Sequence, residues 1–374
     1  MRLLFKEILF LIYAIFTLWF QVNVLKIINS KKKNILIVGK FLGYGGVQTI
    51  HRDLLKAYKK RGYKVYPIYS LRTFFKAILK TSLFLNIEIA YFSGLSLFFA
   101  PLFFRAYKQI FFAHGFYIFE GNKSINRYIK RYLYDCIITN LLFFYRWVYC
   151  IAPSPTSSLV NSIIFNKQVS VIPWPVGEDF LNFELKENIF KYHFTFLGRF
   201  NSQKINEIGL NTIMRRFIAS NILCKKEKIK VAFLIPKFNS YTSKIKKFLE
   251  EEFNCIIDII ICPETKKVCQ VLSETLYFFN CFEWEAFGLT IIEALCMGCN
   301  VIIPSTSPIL PIIDNLEDSP VYKYTSSNLL DYKIFDNQRK LTNKRMSIEN
   351  TNYYRRLFNW ESFIDGVNQK LNIK

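Results

Sequence analysis

The chain has 374 residues, enough for two domains of ordinary size, each with its own core. Its 51% hydrophobic and 17% aromatic content, with 38 Phe and 22 Tyr, excludes a disordered chain. The net charge of +22 is uneven: residues 1–190 carry 25 Lys and Arg against 9 acids, and residues 191–374 carry 25 against 19. The N-terminal half therefore faces something anionic, and a nucleic acid or a membrane both fit. Phe and Leu interleaved with its cations, and no nucleic-acid-binding motif, favour the membrane. Nine cysteines without framework spacing suggest the reduced thiols of a cytosol. Cys296 and Cys299 form a C-x-x-C with no second pair, so they read as small buried residues and not as zinc ligands. His51, His114 and His193 are too scattered for a metal site, and no metal is expected.

Residues 8–28, "ILFLIYAIFTLWFQVNVLKII", open with an uncharged apolar run that Gln21, Asn23 and Lys26 then weaken. Segment 1–33 reads as membrane-associating, either spanning or lying in the interface as a helix. Lys31, Lys32 and Lys33 follow and place the rest on the cytoplasmic side. "NILIVG" (34–39) is a buried strand. Gly43, Gly45 and Gly46 then precede a helix of about a dozen residues, Gly62 and a second strand, "KVYPIY", which makes a βαβ unit with a glycine-rich opening. A dinucleotide site is disfavoured, because the glycines do not fall as G-x-G-x-x-G. The second strand also ends in Tyr66, Pro67 and Ile68 where a ribose-binding acid belongs.

Leu71 to Tyr107 suggests a basic amphipathic helix with Phe74, Phe75, Lys76 and Lys80, a strand over 87–92, and an apolar helix cut by Pro101. The next strand, "KQIFFAHGF", ends at His114, and a strand end in an α/β sheet is where ligands collect. Residues 123–148 read as a basic helix and then an aromatic one. "CIAPSP" is a strand, and Ser154 to Ser158 cap the helix after it. The prolines of "VSVIPWPVGEDF" mark a domain boundary, with the first domain ending near 185.

The second domain opens on "FTFLGRFNSQK". A strand to Leu197 is followed by Arg199 and Lys204, a bidentate fork and a point charge that together suit a diphosphate. "KVAFLIP" and "CIIDIIIC" are further strands. Most informative is "FNCFEWEAFGLTIIEALCMGCNVIIP" (279–304), which reads as strand, loop, helix, glycine stop and strand. Its loop empties at Phe287, Gly288 and Leu289 onto a helix N-terminus, which favours an anion. Glu285 and Glu293 bracket that end, and carboxylates accept hydrogen bonds from sugar hydroxyls.

With this element the sequence resembles the E-x7-E signature of retaining glycosyltransferases of the GT-B fold, family 4 in particular, of the bacterial lipopolysaccharide or surface polysaccharide kind. "GGVQ", "GRFNSQK" and the closing "FNWESFIDGV" resemble the same family over about residues 34–370. The resemblance implies an α/β chain of two Rossmann-like domains facing a cleft. Residues 34–185 would be the acceptor domain, 186–357 the nucleotide-sugar domain, and 358–374 a helix crossing back. It implies that Glu285 and His114 meet the transferred sugar and Glu293 the ribose. Arg199, Lys204 and the amides at Phe287, Gly288 and Leu289 would hold the diphosphate, with Gly45 and Gly46 approaching it from the other domain.

The expected function is transfer of a hexose, with retention, from a nucleotide diphosphate sugar to a lipid-linked or lipopolysaccharide acceptor. A UDP-sugar is favoured (UDP-galactose, UDP-glucose or UDP-GlcNAc), with no cofactor or metal. The expected place is the cytoplasmic face of the inner membrane, and no nucleic-acid partner is implied. Departures exist: Trp174-Pro175 stands where the family has Asn-Gly, and Pro236-Lys237 where it has glycines. A sugar-nucleotide epimerase or phosphorylase of the same fold, and a non-catalytic membrane scaffold, are the alternatives.

Overall fold

The computed structural model describes residues 34–41, 46–70, 73, 87–93, 106–114, 125–185, 190–200, 207–219, 228–280, 287–316, 319–324, 342 and 344–371. The apolar segment 8–28, the basic helix around Phe74 to Lys80, and Gly43, Gly45, Lys204 and Glu285 lie outside them.

The first sheet holds β1 (Asn34–Val38), β2 (Lys64–Ile68), β3 (Ile87–Ser93), β4 (Ala106–Phe112), β5 (Val148–Ala152) and β6 (Val169–Val171). Their order is β2-β1-β3-β4-β5-β6 and every pairing is parallel. All five side chains of β1, "NILIV", are buried, as expected of a strand covered by helices on both faces. Helix α1 (Gly46–Lys60) carries the chain from β1 to β2. Residues 125–144 form one helix, α2 (Ile125–Phe144), where the sequence suggests two. No Gly or Pro interrupts the run, so a change from basic to aromatic composition does not end the helix. Helix α3 (Pro155–Phe165) follows β5, and the side chain of Ser154 accepts the Ser157 N–H at 3.1 Å at its start. A short helix, α4 (Glu178–Leu181), lies on the way to the second sheet.

That sheet contains β7 (Tyr192–Leu197), β8 (Lys230–Ile235), β9 (Ile256–Ile261), β10 (Thr275–Phe279), β11 (Asn300–Pro304) and β12 (Val321–Tyr324), ordered β12-β11-β10-β7-β8-β9 and again parallel. Its helices are α5 (Glu207–Ala219), α6 (Ser240–Phe253), α7 (Thr265–Ser273), α8 (Leu289–Cys296) and α9 (Leu310–Ile313). Then come α10 (Ile348–Leu357) and α11 (Trp360–Lys370).

Each sheet is wound in both directions from its centre. The reversal falls between β1 and β3 in the first and between β7 and β10 in the second. The carboxyl ends at such a reversal leave a crevice between diverging loops, where open α/β sheets bind ligands. Helix α11 packs back onto the first sheet: Phe363 lies 6.0 Å from Trp174 and 6.4 Å from Phe112, ring centre to ring centre. The Val176 N–H donates to the Phe358 carbonyl at 3.0 Å, and Arg61 meets Asp365 at 3.5 Å. One apolar core therefore runs continuously from β1 and α1 through Trp174 to α8 and α11.

Candidate active site

In the second sheet β7 and β10 are neighbours, with Thr195 opposite Phe278, so the segments leaving their carboxyl ends emerge side by side. From β7 comes Gly198, in a positive-φ conformation with its N–H bonded to the Leu234 carbonyl, and then the exposed Arg199. From β10 the chain arrives at Phe287, Gly288 and Leu289. Gly288 sits at φ 85, ψ 61, a left-handed conformation that a residue with a Cβ resists. As the N-cap it brings no side chain to the helix end, so no capping oxygen competes for the first amides of α8. The first intrahelical bonds run from the Ile291 and Ile292 N–H groups to the Gly288 carbonyl, at 3.0 and 3.4 Å. The N–H groups of Leu289 and Thr290 point out of the helix, where its dipole is positive. The Thr290 hydroxyl oxygen is also buried there without a hydrogen-bond partner among the described residues.

The other end of α8 is held by one buried cation, Arg345, and one half-buried cation, Arg355. Arg345 donates to the Thr275 carbonyl at 3.1 Å and to the Met297 carbonyl. Arg355 donates to the Cys296 carbonyl and to the Phe183 carbonyl, each at 2.9 Å. Gly298, at φ +80, ends the helix as its sequence suggests, and a Cβ there would meet the Arg345 guanidinium at 2.9 Å. Cys296 and Cys299 are fully buried, and burial pushes the Cys299 thiol up to about 12. They are inert packing, as expected. Glu293, half-buried on α8, carries its charge near the Cys269 and Cys296 thiols.

Across the cleft, α1 begins at Gly46, and a Cβ on that glycine would stand 2.9 Å from Leu289 Cδ1. Gly46 of the first domain thus rests against the N-terminus of α8. Five residues on, His51 is fully buried under the carboxyl end of β1. Its Nδ1 lies 2.9 Å from the Lys40 carbonyl oxygen, an acceptor, so Nδ1 carries the proton and Nε2 presents a lone pair. This approach requires Gly39, where a Cβ would come within 2.4 Å of the imidazole. His114, just past β4, stands edge-on to His51 with ring centres 5.3 Å apart, and Trp174 covers it at 5.5 Å. The Trp174 that replaces the expected Asn-Gly is a wall of this pocket, in contact with Phe112 at 5.0 Å.

Burial lowers His51 to about 4, opposed by its bond to the Lys40 carbonyl. Burial and then the neighbouring His51 hold His114 well below the usual imidazole range. Both rings are neutral near pH 7, and both Nε2 atoms are buried with no partner among the described residues. A neutral imidazole can donate to or accept from a hydroxyl but cannot serve as a cation.

The structure places seven of the sequence-derived candidates on the elements that border the cleft: His114 and Gly46 in the first domain, and Arg199, Glu293, Phe287, Gly288 and Leu289 in the second. Glu285, Lys204 and Gly45 lie outside the described residues. His51, Trp174 and Gly39 were not legible as site residues. Their only signal is position, since each matters through a neighbour distant in sequence. His193, the third histidine, is structural: its Nδ1 accepts the Lys230 N–H at 3.0 Å. Among the described residues no three His, Cys, Asp or Glu side chains converge as metal ligands would.

No protein-family model matches the chain, and no curated protein matches it. Solved structures do. Sucrose-phosphate synthase from Thermosynechococcus elongatus is 15% identical, with 91% of this chain and 98% of that one covered and a TM-score of 0.59. HepE from Anabaena, solved in complex with UDP-glucose, is 12% identical over 91% and 99%, with a TM-score of 0.57. The catalytic domain of starch synthase IV from Arabidopsis thaliana, bound to ADP and acarbose, is 10% identical over 92% and 98%, with a TM-score of 0.59. All span the two sheets and the cleft between them, and likeness at these identities speaks for architecture. The chain has the GT-B fold.

Proposed function

We propose that the protein transfers a hexose from a nucleotide diphosphate sugar, a UDP-sugar by preference, to a membrane-held glycan with retention of configuration. The observation that carries this reading is the bare N-terminus of α8 beside Arg199 at the reversal of the second sheet, facing the neutral His114 pocket of the first. The helix end and a guanidinium stabilise the charge that develops on a leaving diphosphate. An uncharged imidazole suits the hydroxyls of a sugar. UDP-glucose bound to HepE and ADP bound to starch synthase IV support a nucleotide as the ligand. Lys204 would join Arg199 on the diphosphate, Glu293 would hold the ribose, and Glu285 would meet the sugar with His114.

In the reaction the acceptor oxygen forms the new bond to the anomeric carbon as the bond to the diphosphate breaks. The acceptor proton passes to the departing phosphate oxygen on the same face. Protein cations take the place of a divalent ion, so no cofactor is required. The reading extends to lipopolysaccharide, O-antigen or related surface glycans assembled on the cytoplasmic face of a bacterial inner membrane, given the basic, aromatic first half of the chain.

The test is nucleotide release by the purified protein from UDP-, GDP- and dTDP-sugars, with and without bacterial membranes, in excess EDTA. Release that rises on adding membranes, with radiolabelled sugar moving into lipid extract, is the expected result. Silence with all three donors would overturn the enzymatic reading, and activity lost to EDTA and restored by Mn²⁺ would overturn the metal-free one.

A further inference from the structure

We propose that one flank of the first domain, made by α2, α3 and the adjoining starts of β4 and β5, docks on an anionic lipid surface. This rests in part on the reading above that the acceptor is membrane-held.

Helix α3 is amphipathic in the wrong sense for a helix facing water. It buries Ser157, Ser158 and Asn161, while Leu159 and Ile163, one turn apart, are 63% and 73% exposed. Helix α2 lies against it, with the Thr139 hydroxyl donating to the Ile164 carbonyl at 3.0 Å. That helix too buries Ile138 and Leu142 and leaves Leu133 and Ile137, again one turn apart, in the open. Two exposed apolar stripes on helices packed against each other are more than soluble surfaces commonly carry without use.

Where α2 ends and β4 and β5 begin, the character changes to aromatic and basic. Tyr107, Phe143, Trp147 and Tyr149 are all exposed. Lys108 sits over Tyr107 and Tyr149, its Nζ 5.2 Å from each ring centre, and Arg146 over Phe143 at 4.9 Å. Exposed rings with cations seated on them match the headgroup level of a bilayer, where ring bodies enter and charges meet phosphates. From Ile125 to Lys167 the chain holds five Lys or Arg and a single acid, Asp135. That balance attracts an anionic membrane and repels a second copy of the same face. Both helices start at the carboxyl side of the sheet, α2 past the strand that ends at His114, and run to its amino edge, so the flank extends from the cleft side of the domain to the aromatic and basic cluster.

The experiment uses the full chain, because other segments can also bind lipid and only a reporter on this face is informative. Of the five tryptophans Trp174 and Trp360 are buried, and Trp19 and Trp284 lie outside the described residues, so Trp147 is made the reporter in a full chain carrying Trp19→Phe and Trp284→Phe. With phosphatidylglycerol vesicles carrying brominated acyl chains, tryptophan emission is expected to be quenched, and Trp147→Phe to remove a share of that quenching. Phosphatidylcholine vesicles should quench little. The double variant Leu159→Ser, Ile163→Ser should weaken binding to phosphatidylglycerol by about tenfold, with the melting temperature and nucleotide release from donor sugar unchanged. Quenching that is the same with and without Trp147, or unchanged affinity of the double variant, overturns the proposal. So does a dimer in sedimentation that the double variant dissolves without any effect on vesicles. Docking as expected but no nucleotide release from any donor would instead sink the glycosyltransfer reading alone.

Discussion

The two faces of the cleft differ in chemistry. The second domain offers charge: a helix N-terminus left bare by Gly288, beside Arg199, with the far end of the helix neutralised by Arg345 and Arg355. The first domain offers neutrality: His51 and His114, packed with Phe112 and Trp174 and each holding a buried nitrogen without a partner among the described residues. Charge suits the part of a ligand that leaves with two phosphates, and neutral hydrogen bonds suit the part that carries hydroxyls. The two faces should therefore answer to different variables, the charged one to salt and the neutral one to pH.

The sharpest way to break this division is at Arg199. Replacing it with Ala should cost about 10²- to 10³-fold in kcat, roughly 2.7–4 kcal/mol, with folding intact, because it acts mainly on the leaving group. Steady-state kinetics on a donor sugar checks this, and an unchanged turnover removes the charged face from the mechanism. Next is the response of the neutral face to acid. His51 is lowered to about 4 in the folded chain, so between pH 6.5 and 4 the unfolded chain holds the extra proton. Stability should be full above pH 6.5 and fall by about 3 kcal/mol on the way down to pH 4. Urea titrations at several pH values measure it. A His51→Gln chain should show a shallower slope, and an equal slope would mean that other groups set the acid limit.

A smaller effect is expected at the two glutamates. Glu293→Gln should weaken binding of the free nucleoside diphosphate by about tenfold, and Glu285→Gln should spare it and lower turnover instead. Calorimetry decides, and equal losses in both variants would end the assignment of one to ribose and the other to sugar. Smallest is Gly288→Ala, which forces a Cβ into φ 85 and should destabilise by about 1 kcal/mol. Thermal melts read that cost, and a variant as stable as the parent would show that the cap conformation relaxes freely.

The charged face was largely readable in the sequence because its parts are local. The helix from Leu289, the stop at Gly298 and the strand before Phe287 follow one another within thirty residues, and periodicity and glycine placement give them away. The neutral face was readable only at His114, through its place at a strand end. Nothing near His51 distinguishes it from an ordinary core residue of an amphipathic helix. It becomes a partner of His114 because β1 and β4 flank β3 and because Gly39 has no side chain to keep the ring out. Trp174 was visible as a departure from Asn-Gly, but its contact with His114 depends on how the chain leaves β6. Arg345 and Arg355 sit beyond a weakly patterned stretch, and only the fold brings them to the end of α8.

Arg355 has a mechanical consequence as well as an electrostatic one. Its guanidinium joins the Cys296 carbonyl at the end of α8 to the Phe183 carbonyl on the segment between the two sheets. A few residues along, Val176 is tied to Phe358 where the chain returns. Both passages between the sheets are thus fastened close together, as the axle of a hinge would be. If the cleft opens about it, the anchored end of α8 stays still and the free end sweeps an arc. Eight residues at 1.5 Å each give a lever of about 12 Å, so a turn of about 10° would carry the amides at Leu289 through about 2 Å. That is most of the length of a hydrogen bond, enough to part Leu289 from Gly46 across the cleft without unfolding anything.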